Sequence, residues 1–100
     1  MPMNLWEFKG KVIGKIKEKF EIKEREGKHT FYEIWYRGIK IGETYHSHSS
    51  SGKEISDDIL QKIKRQLYLD HLKQLYDLRD CPMTAEDYLD LLKRKNVVSD

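Results

Sequence analysis

The spacing of apolar residues changes near residue 55, and that change limits the fold more than any other feature of the chain. Before it, Phe8, Val12, Ile16, Phe20 and Ile22 occupy even positions, interrupted by Gly10, Gly14 and Glu18, while the odd ones, Lys9, Lys11, Ile13, Lys15, Lys17, Lys19, Glu21, Lys23 and Arg25, are charged in all but one case. A period of two predicts a strand with one wet face. After it, Ile55, Ile59, Leu60, Ile63 and Leu67 recur at the spacing of an amphipathic helix. Sheet first and helices second make an α+β domain, and the length suits a single domain over residues 1–100.

The first strand, expected over 8–25, contains Gly10 and Gly14. A helix would also gather Leu5, Phe8, Val12, Ile16 and Phe20 on one side, but the two glycines would cost it roughly 1 kcal/mol each. In a strand they mark a bulge or a tight hairpin at Gly14-Lys15, so strand is the expectation. Glu26-Gly27-Lys28 reads as a turn, His29–Tyr36 as an aromatic and β-branched strand, and 39–48 as another after Arg37-Gly38. The result is an antiparallel meander of three strands over residues 8–48, or four if Gly14-Lys15 turns.

Two to three helices are expected over 56–95. Ser56 suits an N-cap, with Asp57 and Asp58 at the positive end of the helix. Asp70 is placed to cap a second helix carrying Leu72, Leu75, Tyr76 and Leu78, which Pro82 stops near Arg79. Thr84 with Asp87 resembles a capping box ahead of Tyr88, Leu91 and Leu92.

No segment approaches the ~20 apolar residues needed to span a bilayer. The first residues lack the basic and apolar regions of a signal peptide, so a cytoplasmic protein without membrane contact is expected. A single cysteine, Cys81, fits a reducing compartment; beside Pro82 and without a neighbouring histidine it is expected to be inert. Residues 1–30 carry eight Lys/Arg against five Glu, and residues 80–100 carry three against five. A basic first half permits a polyanionic partner, although a Lys- and Glu-rich composition also marks thermostable proteins.

Several residues invite chemistry, and each has a plainer reading. Ser49-Ser50-Ser51-Gly52-Lys53 precedes a helix but lacks the first glycine and the final Ser/Thr of a phosphate-binding loop, so a solvated loop is expected. His46 and His48 alternate on a strand, yet two histidines without a Cys or carboxylate cluster do not make a zinc site. No metal and no cofactor are expected. Histidine as a residue type can move protons near neutral pH, so His29, next to Gly27-Lys28, could take one from a ribose 2′-OH; the alternative is an ordinary turn histidine. Lys15, Lys17, Lys28, Lys53 and Arg65 are the cations placed to meet phosphates. Tyr32, Tyr36 and Tyr45 could stack on bases, but a sheet packed on helices needs one apolar face, which should take two of the three.

Arg25-Glu26-Gly27-Lys28-His29-Thr30-Phe31-Tyr32 resembles the segment of HicA-type toxins that reads Arg, a spacer, Gly-Ser-His, two residues and an aromatic. His46 or His48, Lys53-Glu54-Ile55 and Ile63-Lys64-Arg65-Gln66-Leu67 resemble that family's later block, so the likeness covers residues 25–69. It implies a double-stranded-RNA-binding-domain-like fold, metal-independent mRNA cleavage through His29, phosphate contacts by Lys28 and Lys53, and an antitoxin-like protein partner. Lys28 stands where the family keeps serine, and the family begins with a helix where the alternation here predicts strand.

The functional expectation is a small nucleic-acid-binding protein facing RNA rather than DNA, HicA-like, with ribonuclease activity left open. The alternatives are a DNA-binding protein using helix 56–69, with Lys62, Lys64 and Arg65 outward, and a non-catalytic protein-interaction module.

Overall fold

The computed structural model describes residues 3–47, 54–80 and 82–99. Its first element is helical, which corrects the strand expected over 8–20. This helix, α1, begins with an α-turn at Leu5–Glu7, widens into a π-helical stretch at Phe8–Ile13 and closes with an α-turn at Gly14–Ile16. Asn4 and Glu7 form a reciprocal capping box at its start, with bonds of 3.1 and 2.9 Å. Burial explains why helix wins: Leu5, Phe8, Val12, Ile13 and Ile16 are all within the core. Ile13 decides the matter, since on a strand it would lie alone on the wet face. The glycine penalty is small beside the ~1.5–3 kcal/mol that burying each such side chain contributes.

The meander follows as β1 (Glu21–Glu26), β2 (His29–Tyr36) and β3 (Ile39–Ser47), antiparallel and in the order β1-β2-β3. The Arg37-Gly38 link has positive φ at both residues, 52° and 80°, the geometry of a two-residue type I′ hairpin. On β2 the even residues Thr30, Tyr32 and Ile34 point into the core, and Tyr36 packs on Phe20 with ring centroids 5.3 Å apart.

Three further helices complete the helical layer with α1: α2 (Asp57–Gln66), packed against β3, α3 (Leu72–Asp80), packed against α1 and α2, and α4 (Ala85–Arg94). Ser56 stands at the N-cap of α2 without a side-chain bond, leaving Asp57 and Asp58 to meet the helix dipole. Asp70 does not cap α3. Gln74 reaches back instead, accepting from the backbone N–H groups of Asp70 and His71 at 2.7 and 3.1 Å. Thr84 and Asp87 form the anticipated capping box of α4, at 3.0 and 3.1 Å. The core joins all layers: Phe8 meets Tyr32 edge-on at 5.8 Å, and Phe20 meets Tyr88 at 5.5 Å. Among the described residues no helix is long and apolar enough to cross a membrane.

Candidate nucleic-acid interface

The helices lie on one side of the sheet, and no other described element covers its second face, called the open face below. That face is formed by Glu21, Lys23 and Arg25 of β1, His29, Phe31, Glu33 and Trp35 of β2, and Lys40, Glu43 and Tyr45 of β3, as the register requires. Three of the ten are aromatic, and none of them is part of the core.

One end of the face is a ring cluster. His29 lies 5.4 Å from Tyr45 and 6.1 Å from Phe31, and Phe31 lies 5.4 Å from Tyr45, centroid to centroid. The Arg25 guanidinium covers Phe31, its carbon 4.4 Å from the ring centre. At the other end the Lys23 ammonium stands 3.9 Å over Trp35. Both are cation–π contacts in which a surface cation rests on a ring face.

Between the ends, Glu33 and Glu43 sit directly opposite each other across the β2–β3 ladder. Like charges in that position repel. Arg25 and Lys40 each contact both carboxylates: Arg25 at 3.6 and 3.2 Å, Lys40 at 3.7 and 3.2 Å. The Trp35 indole N–H also donates to Glu33 at 3.1 Å. That bond, with Lys40, Arg25 and Lys23 nearby, holds the Glu33 carboxyl below the usual carboxylate range.

Lys40 reaches this face because of a β-bulge. Ile34 pairs with Gly42 but Trp35 pairs with Lys40, so Ile41 is the extra residue. Regular pairing would have put Ile41 opposite Trp35 and an apolar side chain outward. The freed Ile41 carbonyl accepts from the Tyr68 hydroxyl at 2.6 Å. Gly42 makes room for that ring, since a Cβ there would lie 3.1 Å from Tyr68 Cε2.

The sequence-derived site residues divide between the two sides. Lys28 is exposed in the β1–β2 turn, and His29 opens β2 at the edge of the ring cluster. Lys15 closes α1 and Lys17 follows it, near the start of β1. A six-residue strand spans about 17–20 Å, so these two lysines are roughly a strand's length from His29, and with α1 they belong to the helical layer. Arg65 lies on α2, in a shallow depression with Asp58, Gln61, Lys62 and Lys64. Lys53, His48, Cys81 and most of the serine-rich loop fall outside the described residues. Of the three tyrosines considered for stacking, Tyr32 is buried, Tyr36 is half-buried against Phe20, and Tyr45 is exposed. Phe31 and Trp35, also on the open face, were not among the expected residues; their odd numbering on a strand whose even residues are β-branched or aromatic was the available signal.

His29 Nδ1 is buried and has no hydrogen-bond partner among the described residues. A proton-transfer histidine is ordinarily held in one tautomer by a bond to its second nitrogen, and none of the described residues supplies one there. His46 faces the other way: its Nε2 is 2.9 Å from the Tyr32 hydroxyl, and its ring packs edge-on against Phe8 at 6.1 Å. Burial, then Glu24 and Glu26, push the Tyr32 phenol up to about 12, so it stays protonated at neutral pH. No group of three or more metal-binding side chains occurs among the described residues.

No protein-family model matches the chain, and no curated protein or solved structure matches it either.

Proposed function

We propose that this protein binds nucleic acid, RNA in preference to DNA, on the open face of its sheet. The observation that carries the reading is the His29–Phe31–Tyr45 ring cluster with Arg25 laid over Phe31. Aromatic side chains grouped on a surface they do not help to fold mark a binding site. Rings take the faces of bases, and adjacent cations take phosphates. Lys23, Arg25 and Lys40 balance Glu21, Glu33 and Glu43, and the turn residues Lys28 and Arg37 at the two ends leave the surface net positive. The preference for RNA, a cytoplasmic setting, a HicA-like toxin role and an antitoxin-like partner rest on the resemblance of residues 25–69. That family begins with a helix, as this chain does at α1.

The test is anisotropy of labelled RNA and DNA of equal length and sequence across a salt series. Four phosphate contacts, from Lys23, Arg25, Lys28 and Lys40, give a log–log salt slope of about −3 for single strands. RNA should bind more tightly, because the 2′-OH is available to it alone. Absence of binding by folded protein, or binding that ignores salt, overturns the reading. Incubation of RNA with the protein in EDTA examines cleavage separately. Any cleavage due to His29 should fall by about 100-fold in His29→Ala. Intact RNA with wild-type protein removes the enzymatic role and leaves binding in place.

A further inference from the structure

We infer that the open face is a stacking site for single-stranded nucleic acid in which Arg25 and Lys23 hold the places of two bases. The inference rests on the nucleic-acid reading above and specifies how the strand is engaged. Phe31 and Trp35 are four residues apart on one strand, so their rings are roughly 13 Å from each other along β2. Each presents its outer side to a cation, Arg25 at 4.4 Å and Lys23 at 3.9 Å. The span between them is occupied by the Glu33–Arg25–Glu43–Lys40 quartet.

An exposed cation–π contact is weaker than the stacking of a base on the same ring. A base can therefore displace the cation, and the displaced cation is left beside the phosphate that arrives with the base. Arg25 and Lys23 have the reach for that exchange, both being exposed β1 side chains. Only an unpaired base has a free face to offer, whereas a duplex keeps its bases stacked and shows a protein its grooves and phosphates. The spacing calls for an extended strand with at least one intervening nucleotide over the quartet. That nucleotide meets the carboxylates of Glu33 and Glu43, which accept from base N–H groups and repel phosphate. The backbone amides of the sheet are engaged in the ladder, so sequence preference should be slight.

The experiment uses the full chain with Trp6→Phe, which leaves Trp35 as the only tryptophan. Trp6 is far out in solvent, at 69% exposure, so its replacement does not disturb the core. A labelled oligouridylate is titrated while label anisotropy and Trp35 emission are followed together. Stacking predicts that Trp35 emission is quenched in step with the anisotropy rise, and that a duplex of equal length binds at least tenfold more weakly. Trp35→Ala should weaken single-strand binding by about tenfold, with Trp35→Phe restoring most of it. Lys23→Gln should lower the salt slope by about 0.7. Anisotropy that rises while Trp35 emission stays unchanged overturns the stacking inference and leaves the nucleic-acid reading standing, as does equal affinity for duplex. Failure of single strand and duplex alike to bind removes the nucleic-acid reading, and the inference with it.

Discussion

Two tyrosine hydroxyls close carbonyls that regular structure leaves open. Tyr68 donates to Ile41 at the bulge, and Tyr88 donates to Leu67, the C-cap of α2, at 2.9 Å in the core. Tyr88→Phe keeps the ring packed on Phe20 and removes only that donor, so it should cost about 1–2 kcal/mol of stability in denaturant unfolding. A loss below a few tenths would mean that the carbonyl is satisfied another way. Burial raises both Tyr32 and Tyr88 above the ordinary phenol value, Tyr32 to about 12. A folded pKa above the unfolded one means that the native state holds its proton more tightly. The corresponding stability is present in full below pH 10 and is lost as pH rises from 10 to about 12. Thermal unfolding over that window should show a steeper alkaline decline in wild type than in Tyr32→Phe; parallel declines would exclude Tyr32 as a contributor. At this scale the sequence was legible where a residue's neighbours along the strand fix its face. Two of the three tyrosines weighed for stacking, Tyr32 and Tyr36, go inward as one apolar face requires, whereas the outward place of Tyr45 comes from its register with Phe31, since alternation alone groups it with Ile39 and Ile41. The partner of a side chain across the fold, such as Gln74 rather than Asp70 at the start of α3, depends on geometry that spacing does not carry.

Helix α1 shows how one spacing can serve two periods. Phe8, Val12, Ile16 and Phe20 are four apart, so they satisfy alternation and helical recurrence alike. The even positions between them, Gly10, Gly14 and Glu18, are not apolar, and together with Ile13 they distinguish the two. The π-helical stretch Phe8–Ile13, with its i→i+5 bonding, suits a run whose apolar residues repeat at four rather than 3.6. Gly10 is exposed and an added Cβ would meet nothing within 4 Å. Gly10→Ala should therefore stabilise the fold by roughly 0.5–1 kcal/mol, through lower entropy of the unfolded chain. A destabilised variant would count against the helix. At α4 the capping box was legible, because Thr84 and Asp87 are three apart and need no distant partner. Removing it in Thr84→Ala should cost about 1 kcal/mol, read as a drop in melting temperature. The β3 bulge had only Gly42 as a local mark, and its cause, Tyr68 taking the Ile41 carbonyl from 27 positions on, lay outside the strand.

For the molecule as a whole, the change of period marked the meander over β1–β3 and the helices after residue 55, but it placed α1 in the wrong layer and did not reveal the site. The cations chosen from sequence lie on two sides of the sheet, with Lys28 by the open face and Lys15, Lys17 and Arg65 among the helices. Charge runs along a chain do not say which layer will cover which side, and that depends on α1 being a helix. The strand order also leaves two edges, β1 and β3. Tyr68 occupies one of the β3 carbonyls, while β1, reading Glu-Ile-Lys-Glu-Arg-Glu, carries a charge at every position but Ile22. An unpaired strand is a template for another copy of itself, and dense charge is a common defence against that. The charge on β1 thus opposes pairing with a second copy at that edge. Exchanging Glu24 and Glu26 for valine would weaken the defence on β1, leaving Glu21, Lys23 and Arg25 on the open face. Light scattering should then rise with concentration in the double variant and stay flat in the parent.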